Sequence, residues 1–317
     1  MQNQTKNFFA KLGRGTLSLG AMCFLMGSLA SAAKQVRVVT TIPDLADLAR
    51  EIGGEHVDVR CLSKGTENLH SVHVRPSMLI AMSKADLFLE MGLSMEAAWL
   101  PGLLLKARNS KIQPGALGFQ NCSAGWQTIG VPEDLSRKDG DVHPEGNPHF
   151  NLDPLGGPHL ALRVHEALVR VDKGHAEVYG KNLSLWQKRL TQKQKAWTVI
   201  AERIKGQKIA VYHSEYDYLA RRLGLQVVAS IESKPGVPPG PGDIAKVVQT
   251  MREQKVTVIL TAAWSNNRQV ADIAKKAGAQ VVELPNQVGG AAWAKTWLDL
   301  MDGVHERLDA AFPAKQQ

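Results

Sequence analysis

Three histidines that lie far apart in the chain, His70, His149 and His213, have the side-chain type and the setting of metal ligands. Each follows a short apolar run and is expected at a strand end or in a loop. Neutral imidazole is the commonest protein ligand for zinc and similar metals. Three imidazoles and one further donor complete a tetrahedral site. A fold that gathers the three rings would make a metal site, whereas scattered rings would be ordinary surface or core histidines.

The N-terminus has the pattern of a cleavable signal peptide over residues 1–32. Lys6, Lys11 and Arg14 precede an uncharged apolar stretch that ends in the small residues Ala30-Ser31-Ala32. A membrane anchor is the less favoured alternative, because the apolar stretch is short for a membrane span. The pattern predicts export to the periplasm.

Composition excludes some classes of function and leaves the state of the cysteines open. The 317 residues carry a formal charge of +8, which falls to +5 without residues 1–32 because three positive charges leave with them. The remaining chain has no Lys/Arg run, so no nucleic-acid partner is expected. Cys61 and Cys122 remain after cleavage, either as a disulfide, which export permits, or as free buried thiols, which are slightly favoured.

The apolar pattern predicts an α/β fold with two βα lobes, each built on a parallel four-stranded sheet, joined by a long rigid helix. Runs of strand and helix length alternate on both sides of residues 123–157, a segment dense in Gly, Pro, Asp and Asn that is expected to be mostly loop. Helices are also expected over residues 94–109 and, at the end of the chain, over residues 291–312. The expected boundaries are 33–172 for the N-terminal lobe, 173–205 for the linking helix and 206–317 for the C-terminal lobe.

This fold predicts where the three histidines lie. Open α/β sheets bind ligands outside the carboxyl ends of their strands. His70 follows the second expected strand, His149 lies in the loop after the fourth, and His213 ends the first strand of the second lobe. All three side chains are therefore expected to face a cleft between the lobes.

Three motifs in the expected order make the chain resemble the TroA-like group of solute-binding proteins, which bind zinc or manganese for ABC transporters. The first is His70 followed by Pro76-Ser77 at a helix start and Ala85-Asp86 before a strand. The second is Pro148-His149-Phe150-Asn151-Leu152-Asp153-Pro154. The third is a strand-ending His213 followed by Tyr216, Tyr218 and Leu223-Gly224. The resemblance covers the chain from about Val36 to the last helix.

The resemblance implies a monomeric, non-enzymatic binding protein with one metal ion held between two lobes. It would deliver that ion to an ABC permease in the inner membrane, driven by a cytoplasmic ATPase. His70 and His149 would come from the first lobe and His213 from the second. Zinc-selective members of this group carry His at the third position and manganese members carry Glu, so His213 favours Zn²⁺, with Mn²⁺ as the alternative.

The fourth ligand stays open. The group commonly uses an acid in the loop after the last strand, and Asn286 stands at that place here. A water molecule, Glu215, His73 or His143 are the other candidates, although His73 is favoured as a polar loop residue. His143 also lies in a loop that zinc-specific members often make long and rich in histidine.

Two other functions compete with import. A zinc chaperone without a permease would use the same site. A three-histidine zinc hydrolase would use Glu215 as a general base on a metal-bound water and would need an open coordination position. The hydrolase is less favoured, because the sequence offers no oxyanion site or substrate pocket.

Overall fold

The computed structural model describes residues 34–132, 143–232, 234 and 236–312. The signal-peptide prediction for residues 1–32 falls outside these residues. The first lobe contains β1 (Val36–Thr40), α1 (Pro43–Gly53), β2 (Val57–Cys61), α2 (Pro76–Lys84), β3 (Leu87–Glu90), α3 (Leu100–Ala107), β4 (Phe119–Asn121) and α4 (Gly156–Val171). The linking helix is α5 (Ala176–Ile204). The second lobe contains β5 (Lys208–Val211), α6 (Asp217–Leu223), β6 (Gln226–Ser230), α7 (Pro241–Glu253), β7 (Val258–Thr261), α8 (Asn267–Ala277), β8 (Gln280–Glu283) and α9 (Trp297–Ala311).

Both sheets are four-stranded and parallel, as the sequence predicts. Their strand orders are β2-β1-β3-β4 and β6-β5-β7-β8. The central strands are therefore β1 and β3 in the first sheet and β5 and β7 in the second. The central strands are buried on both faces and are accordingly almost continuous apolar runs. Among the described residues, no helix is both long and apolar enough to span a membrane.

One hydrophobic core runs through both lobes. Leu87 and Leu89 of the first sheet belong to the same buried cluster as Val258 and Leu260 of the second. Residues on the other face of each sheet form a separate outer cluster. In the first lobe, for example, Phe88 packs in a cluster with residues of α2 and α3. The lobes are therefore joined by apolar packing as well as by the chain.

Helix α5 provides much of this shared core. Its 29 residues make it about 44 Å long at 1.5 Å per residue. One face is buried, at the helical spacing of Tyr179, Leu183, Trp186, Leu190, Trp197 and Ile204. That face packs against α1 and α4 of the first lobe and against α9 and α6 of the second. A side-chain pair, Lys193 with Asp302, adds a polar link to α9.

Two predicted helices begin later than the sequence indicates. The helix expected over residues 94–109 starts only at Leu100, because the buried carboxylate of Glu96 accepts hydrogen bonds from the backbone N–H groups of Met91 and Gly92 and holds a tight turn there. The helix expected from residue 291 starts at Trp297. Its N-cap is Thr296, whose hydroxyl accepts from the N–H of Asp299.

Cys61 and Cys122 are free thiols; Cys122 is buried as predicted, whereas Cys61 is only partly buried. Cys61 ends β2 and Cys122 follows β4, which are the two edge strands of the first sheet. Three inter-strand spacings separate these edges by roughly 14 Å. A disulfide requires Cα atoms within about 7 Å, so the fold keeps these two residues apart.

Candidate metal centre

The structure brings the three predicted histidines together. One ring nitrogen from each of His70, His149 and His213 lies within 4.8 Å of the other two. The Nε2 atoms of His70 and His149 are 2.9 Å apart. The ring of His213 is centred 5.6 Å from that of His70 and 5.0 Å from that of His149. His149 and His213 are buried and His70 is partly buried.

The loop that carries His70 is fixed at the two residues before this histidine. Asn68 caps the short 3₁₀ helix Leu69–Ser71 by accepting from the N–H of His70 at 2.9 Å. The carbonyl of Leu69 accepts from the indole N–H of Trp99 at 2.9 Å. The backbone of Met95 also interacts with the ring of His70 and acts to raise its pKa, against the larger lowering effect of burial.

The same loop is held against the second lobe. The side-chain amide of Gln287 donates to the carbonyls of Lys64 and Glu67, at 3.2 and 2.9 Å. Gly65 lies so close to the backbone at Gly289 that a Cβ atom on it would sit 2.1 Å from the Gly289 carbonyl carbon. Glycine at position 65 is therefore required for this contact between the lobes.

His149 is oriented by Asn147. The Oδ1 atom of Asn147 accepts from the backbone N–H of His149 at 2.9 Å and lies 2.8 Å from its Nδ1. Because an amide oxygen only accepts, Nδ1 of His149 carries the proton, and Nε2 keeps a lone pair for a metal. The Nδ2 atom of Asn147 donates to the carbonyl of Ser214 at 2.9 Å and to Asp217 at 3.3 Å, both in the second lobe.

Tyr218 of α6 holds the same segment in place from the second lobe. Its hydroxyl donates to the carbonyl of Asn147 at 2.8 Å and accepts from the N–H of Ile129 at 3.1 Å. The N–H of Asn147 donates in turn to the carbonyl of Ile129 at 2.8 Å. These bonds close the base of the polar loop and fix the residue on which His149 depends.

His213 follows β5 and is 1% exposed. Its Nδ1 lies 2.7 Å from Oε2 of Glu232, which follows the neighbouring strand β6. Within the described part of the chain, neither of its buried ring nitrogens has a partner in hydrogen-bond geometry, so Glu232 makes a close ion-pair contact with Nδ1 and Nε2 has no polar partner. A buried, unpartnered nitrogen beside two other imidazoles fits the chemistry of a metal ligand.

The electrostatics of the rings favour neutral ligands in the first lobe. Burial, followed by the neighbouring histidines, lowers the pKa of His70 to about 3 and that of His149 well below its usual value. Burial also acts to lower the pKa of His213, but Glu232 and Glu215 outweigh it and leave this pKa raised. His70 and His149 are thus unprotonated near neutral pH, as metal binding requires.

The candidates for a fourth donor lie in different settings. His73 is exposed, whereas the ring of His143 is centred 4.9 Å from that of His70. Glu215 is fully buried, and burial raises its pKa to about 7; its oxygens have no hydrogen-bond partner in the residues described. Asn286 is 6% exposed, and its backbone carbonyl accepts a hydrogen bond from the side-chain amide of Asn151 at 2.8 Å. Neither His143 nor Glu215 belongs to the 4.8 Å cluster of ring nitrogens.

The sequence interpretation missed Asn147 and Glu232, the two side chains that contact ring nitrogens of the cluster. A signal was present for Glu232: this acid directly follows a strand-like run, and His213 stands at the end of another such run. Nothing in the sequence indicated that the two strands, β5 before His213 and β6 before Glu232, are neighbours in the sheet.

Comparison with known proteins assigns the family. The family model for "ZnuA: Zinc-uptake complex component A periplasmic" matches residues 38–311. The chain belongs to this family. The membership confirms the resemblance to metal-binding proteins of ABC transporters, a family of binding components found outside the cytoplasm.

Individual relatives agree with the family. The high-affinity zinc uptake system protein ZnuA of Bacillus subtilis is 25% identical over 306 residues, which cover 92% of this chain and 94% of that protein. The iron-binding protein YfeA of Yersinia pestis is 24% identical over 250 residues, or 78% of this chain and 76% of that protein. A crystal structure of ZnuA has the same fold, with a TM-score of 0.73 and 22% identity over 88% of this chain and 99% of that one.

Proposed function

We propose that the protein captures a divalent metal ion, Zn²⁺, outside the cytoplasm and delivers it to an ABC permease for import. The metal is the cargo, and His70, His149 and His213 are its ligands. The observation that carries the proposal is the cluster of three ring nitrogens within 4.8 Å, drawn from both lobes. The family and the name of the Bacillus relative support zinc uptake.

The arrangement of hydrogen bonds supports a cation at this place. His149 commits its Nδ1 to Asn147, so its Nε2 is an acceptor. The Nε2 atom of His70 lies 2.9 Å from it, and the two nitrogens can share only one proton between them. A metal ion that replaces this proton would bond to both nitrogens.

The donor types favour zinc over manganese. Three imidazole nitrogens suit Zn²⁺, while Mn²⁺ prefers carboxylate and other oxygen donors and binds more weakly to a given site of this kind. Asn286 adds to the preference if it is the fourth donor, because an amide brings no charge. Mn²⁺ is the second candidate cargo, and a water molecule, Glu215, His143 or His73 are the alternatives to Asn286.

The remaining expectations belong to the same proposal. Residues 1–32 act as a cleavable signal peptide, and the mature protein is a monomer in the periplasm that binds no nucleic acid. Its partners are the inner-membrane permease and the ATPase. Residues 33–172 and 206–317 form the lobes, and residues 173–205 link them.

We propose a binding role without catalysis. The hydrolase alternative assigns Glu215 as general base, but this carboxylate lies outside the nitrogen cluster and is fully buried. A chaperone without a permease would bind zinc equally well, so a transport measurement has to separate the two.

Zinc titration of protein purified without residues 1–32 tests the binding site. Chelator competition on the parent protein and on the His70→Ala, His149→Ala and His213→Ala variants should show losses of affinity of orders of magnitude, since two imidazoles cannot close the shell. The matched control is His165→Ala on α4, outside the cluster. Wild-type affinity in any of the three variants would remove that residue from the site.

Zinc uptake tests the role. Deleting the gene should abolish growth at low zinc, and the parent gene but not the His213→Ala gene should restore it. Restored growth in cells that lack the permease would contradict import and favour the chaperone.

A further inference from the structure

We infer that Glu232 is a positioning residue for the metal site: it fixes the ring of His213 and supplies a negative charge from outside the coordination shell. The inference rests on the proposed function, since it concerns the same zinc site. It goes beyond that function by naming a residue that tunes affinity and geometry without touching the metal.

The backbone places Glu232 opposite the ring. Strands β5 and β6 are parallel neighbours, with Val211 opposite Ser230, so the residues that follow them emerge side by side. The N–H of Glu232 donates to the carbonyl of Tyr212 at 2.8 Å, which extends the pairing beyond the strands. The hydroxyl of Ser230 donates to the carbonyl of Glu232 at 3.1 Å. The main chain on both sides of the contact is therefore fixed.

The contact itself is short and shielded. Oε2 of Glu232 lies 2.7 Å from Nδ1 of His213, and the two side chains are only 8% and 2% exposed. Because a carboxylate can only accept, this contact favours the tautomer with its proton on Nδ1 and leaves Nε2 as the ligand atom, although the ring N–H is not aligned with Oε2 as in a regular hydrogen bond. Such an outer contact also makes the imidazole a stronger donor.

Glu232 differs from the groups that orient the other two rings. His149 is oriented by the neutral amide of Asn147, and His70 by a backbone group. Glu232 is thus the charged member of the three orienting groups. Three neutral imidazoles leave a bound Zn²⁺ with its full double charge, and a shielded carboxylate one ring away offsets part of that charge.

Two variants separate the positioning role from the charge. Glu232→Gln keeps an acceptor oxygen for Nδ1 but removes the charge, and Glu232→Ala removes both. Loss of an outer contact of this kind typically weakens metal binding about 10- to 100-fold. We expect a loss near tenfold for Gln and near 100-fold for Ala in zinc competition titrations.

Cobalt spectroscopy provides a readout that a merely structural role would not move. Co²⁺ bound to the parent protein and to Glu232→Gln should give the same visible absorption band, because the ring orientation is kept. The band of Glu232→Ala should shift or lose intensity as the ring of His213 loses its position. The control is Glu306→Gln, which removes an exposed carboxylate on α9 and should change neither affinity nor spectrum.

The outcomes distinguish this inference from the function on which it rests. If the parent protein does not bind zinc, the proposed function fails. If it binds zinc and His213→Ala does not, but both Glu232 variants keep the parent affinity and cobalt spectrum, the role of Glu232 is overturned and the site stands. Should the Ala variant not fold, parent affinity in the isosteric Gln variant still overturns the role of charge.

Discussion

Asn147 is the residue whose replacement tests most directly how the metal site depends on both lobes. Its side chain makes four hydrogen bonds: it accepts two from His149 and donates to Ser214 and Asp217. Asn147→Ala removes all four and leaves the backbone bonds of this residue in place. The variant should therefore lose the orientation of His149 without losing the path of the loop.

The expected destabilisation of Asn147→Ala follows from the polar groups that lose their hydrogen-bond partner. Each net hydrogen bond contributes about 1 kcal/mol, and a buried polar group left unpaired costs about 1–3 kcal/mol. The buried Nδ1–H of His149 loses its acceptor, while the bond to Asp217 is long at 3.3 Å and contributes least. We expect the metal-free Asn147→Ala protein to be destabilised by about 2–4 kcal/mol and its zinc affinity to fall about 10- to 100-fold.

Asn147→Asp separates orientation from stability. A carboxylate still accepts from both N–H groups of His149, so zinc binding should be largely kept. It cannot donate to Ser214, and it places a second negative charge beside Asp217, so the metal-free protein should be less stable.

Urea unfolding of the metal-free proteins and zinc competition titrations measure the two effects. The control is Asn182→Ala, which removes the bond from Nδ2 of Asn182 to the carbonyl of Ile52 at 2.9 Å, away from the site. It should lower stability without changing zinc affinity. Parent zinc affinity in Asn147→Ala would refute the role of Asn147 in orienting His149.

Three further predictions follow from the charges of the site and its surroundings. Zinc affinity should fall as the pH drops through the raised pKa of His213, since a protonated ring cannot ligate. Because the pKa values of His70 and His149 are lowered, their protons do not compete in the same range, and titrations between pH 5 and 8 should show one proton as the main competitor. If residue 286 faces the metal, Asn286→Asp should tighten the binding of divalent ions and relax the discrimination against manganese. If Asn286→Asp changes nothing and Glu215→Gln cripples binding, the fourth ligand is the carboxylate of Glu215. Competition titrations with zinc and manganese decide between the two residues. Burial raises the pKa of Asp47 to about 7, so its ionisation lowers the stability of the protein as the pH rises from about 4 to 7. The Asp47→Asn side chain can still accept from the N–H of Trp297 but cannot ionise. This variant should therefore show a flatter pH dependence of urea unfolding in that range and a higher stability above it.

The sequence was a sufficient guide to the fold and to the three rings, for an identifiable reason. Central strands of parallel sheets are continuous apolar runs, so their ends are visible in the sequence, and parallel strands bring their carboxyl ends to one edge. His213 follows the end of the central strand β5, and His70 lies in the loop after β2, an edge strand with an alternating pattern. Their meeting with His149 could therefore be predicted without knowing any contact in detail.

The sequence was a poor guide where one side chain decided the local backbone or where two strands had to be paired. The carboxylate of Glu96 holds a turn in a segment with good helical composition, and Thr296 starts the last helix well after its apolar pattern begins. Glu232 meets His213 only because β5 and β6 are neighbours, and the order of strands in a sheet is not written in a single sequence.

The way in which the lobes are joined bears on how the metal leaves. A wide opening would separate apolar surfaces that both sheets share through α5 and α9, at about 25 cal/mol for each Å² exposed. The links close to the metal site are of another kind: hydrogen bonds that join Asn147 to Ser214 and Asp217, Tyr218 to Asn147 and Ile129, and Gln287 to Lys64 and Glu67. Each is replaceable by water at a cost of about 1 kcal/mol. Loops that carry ligands can therefore separate while the core stays closed. We expect release to proceed by displacement of the His70 and His149 loops from the second lobe, with α5 keeping the two sheets in place.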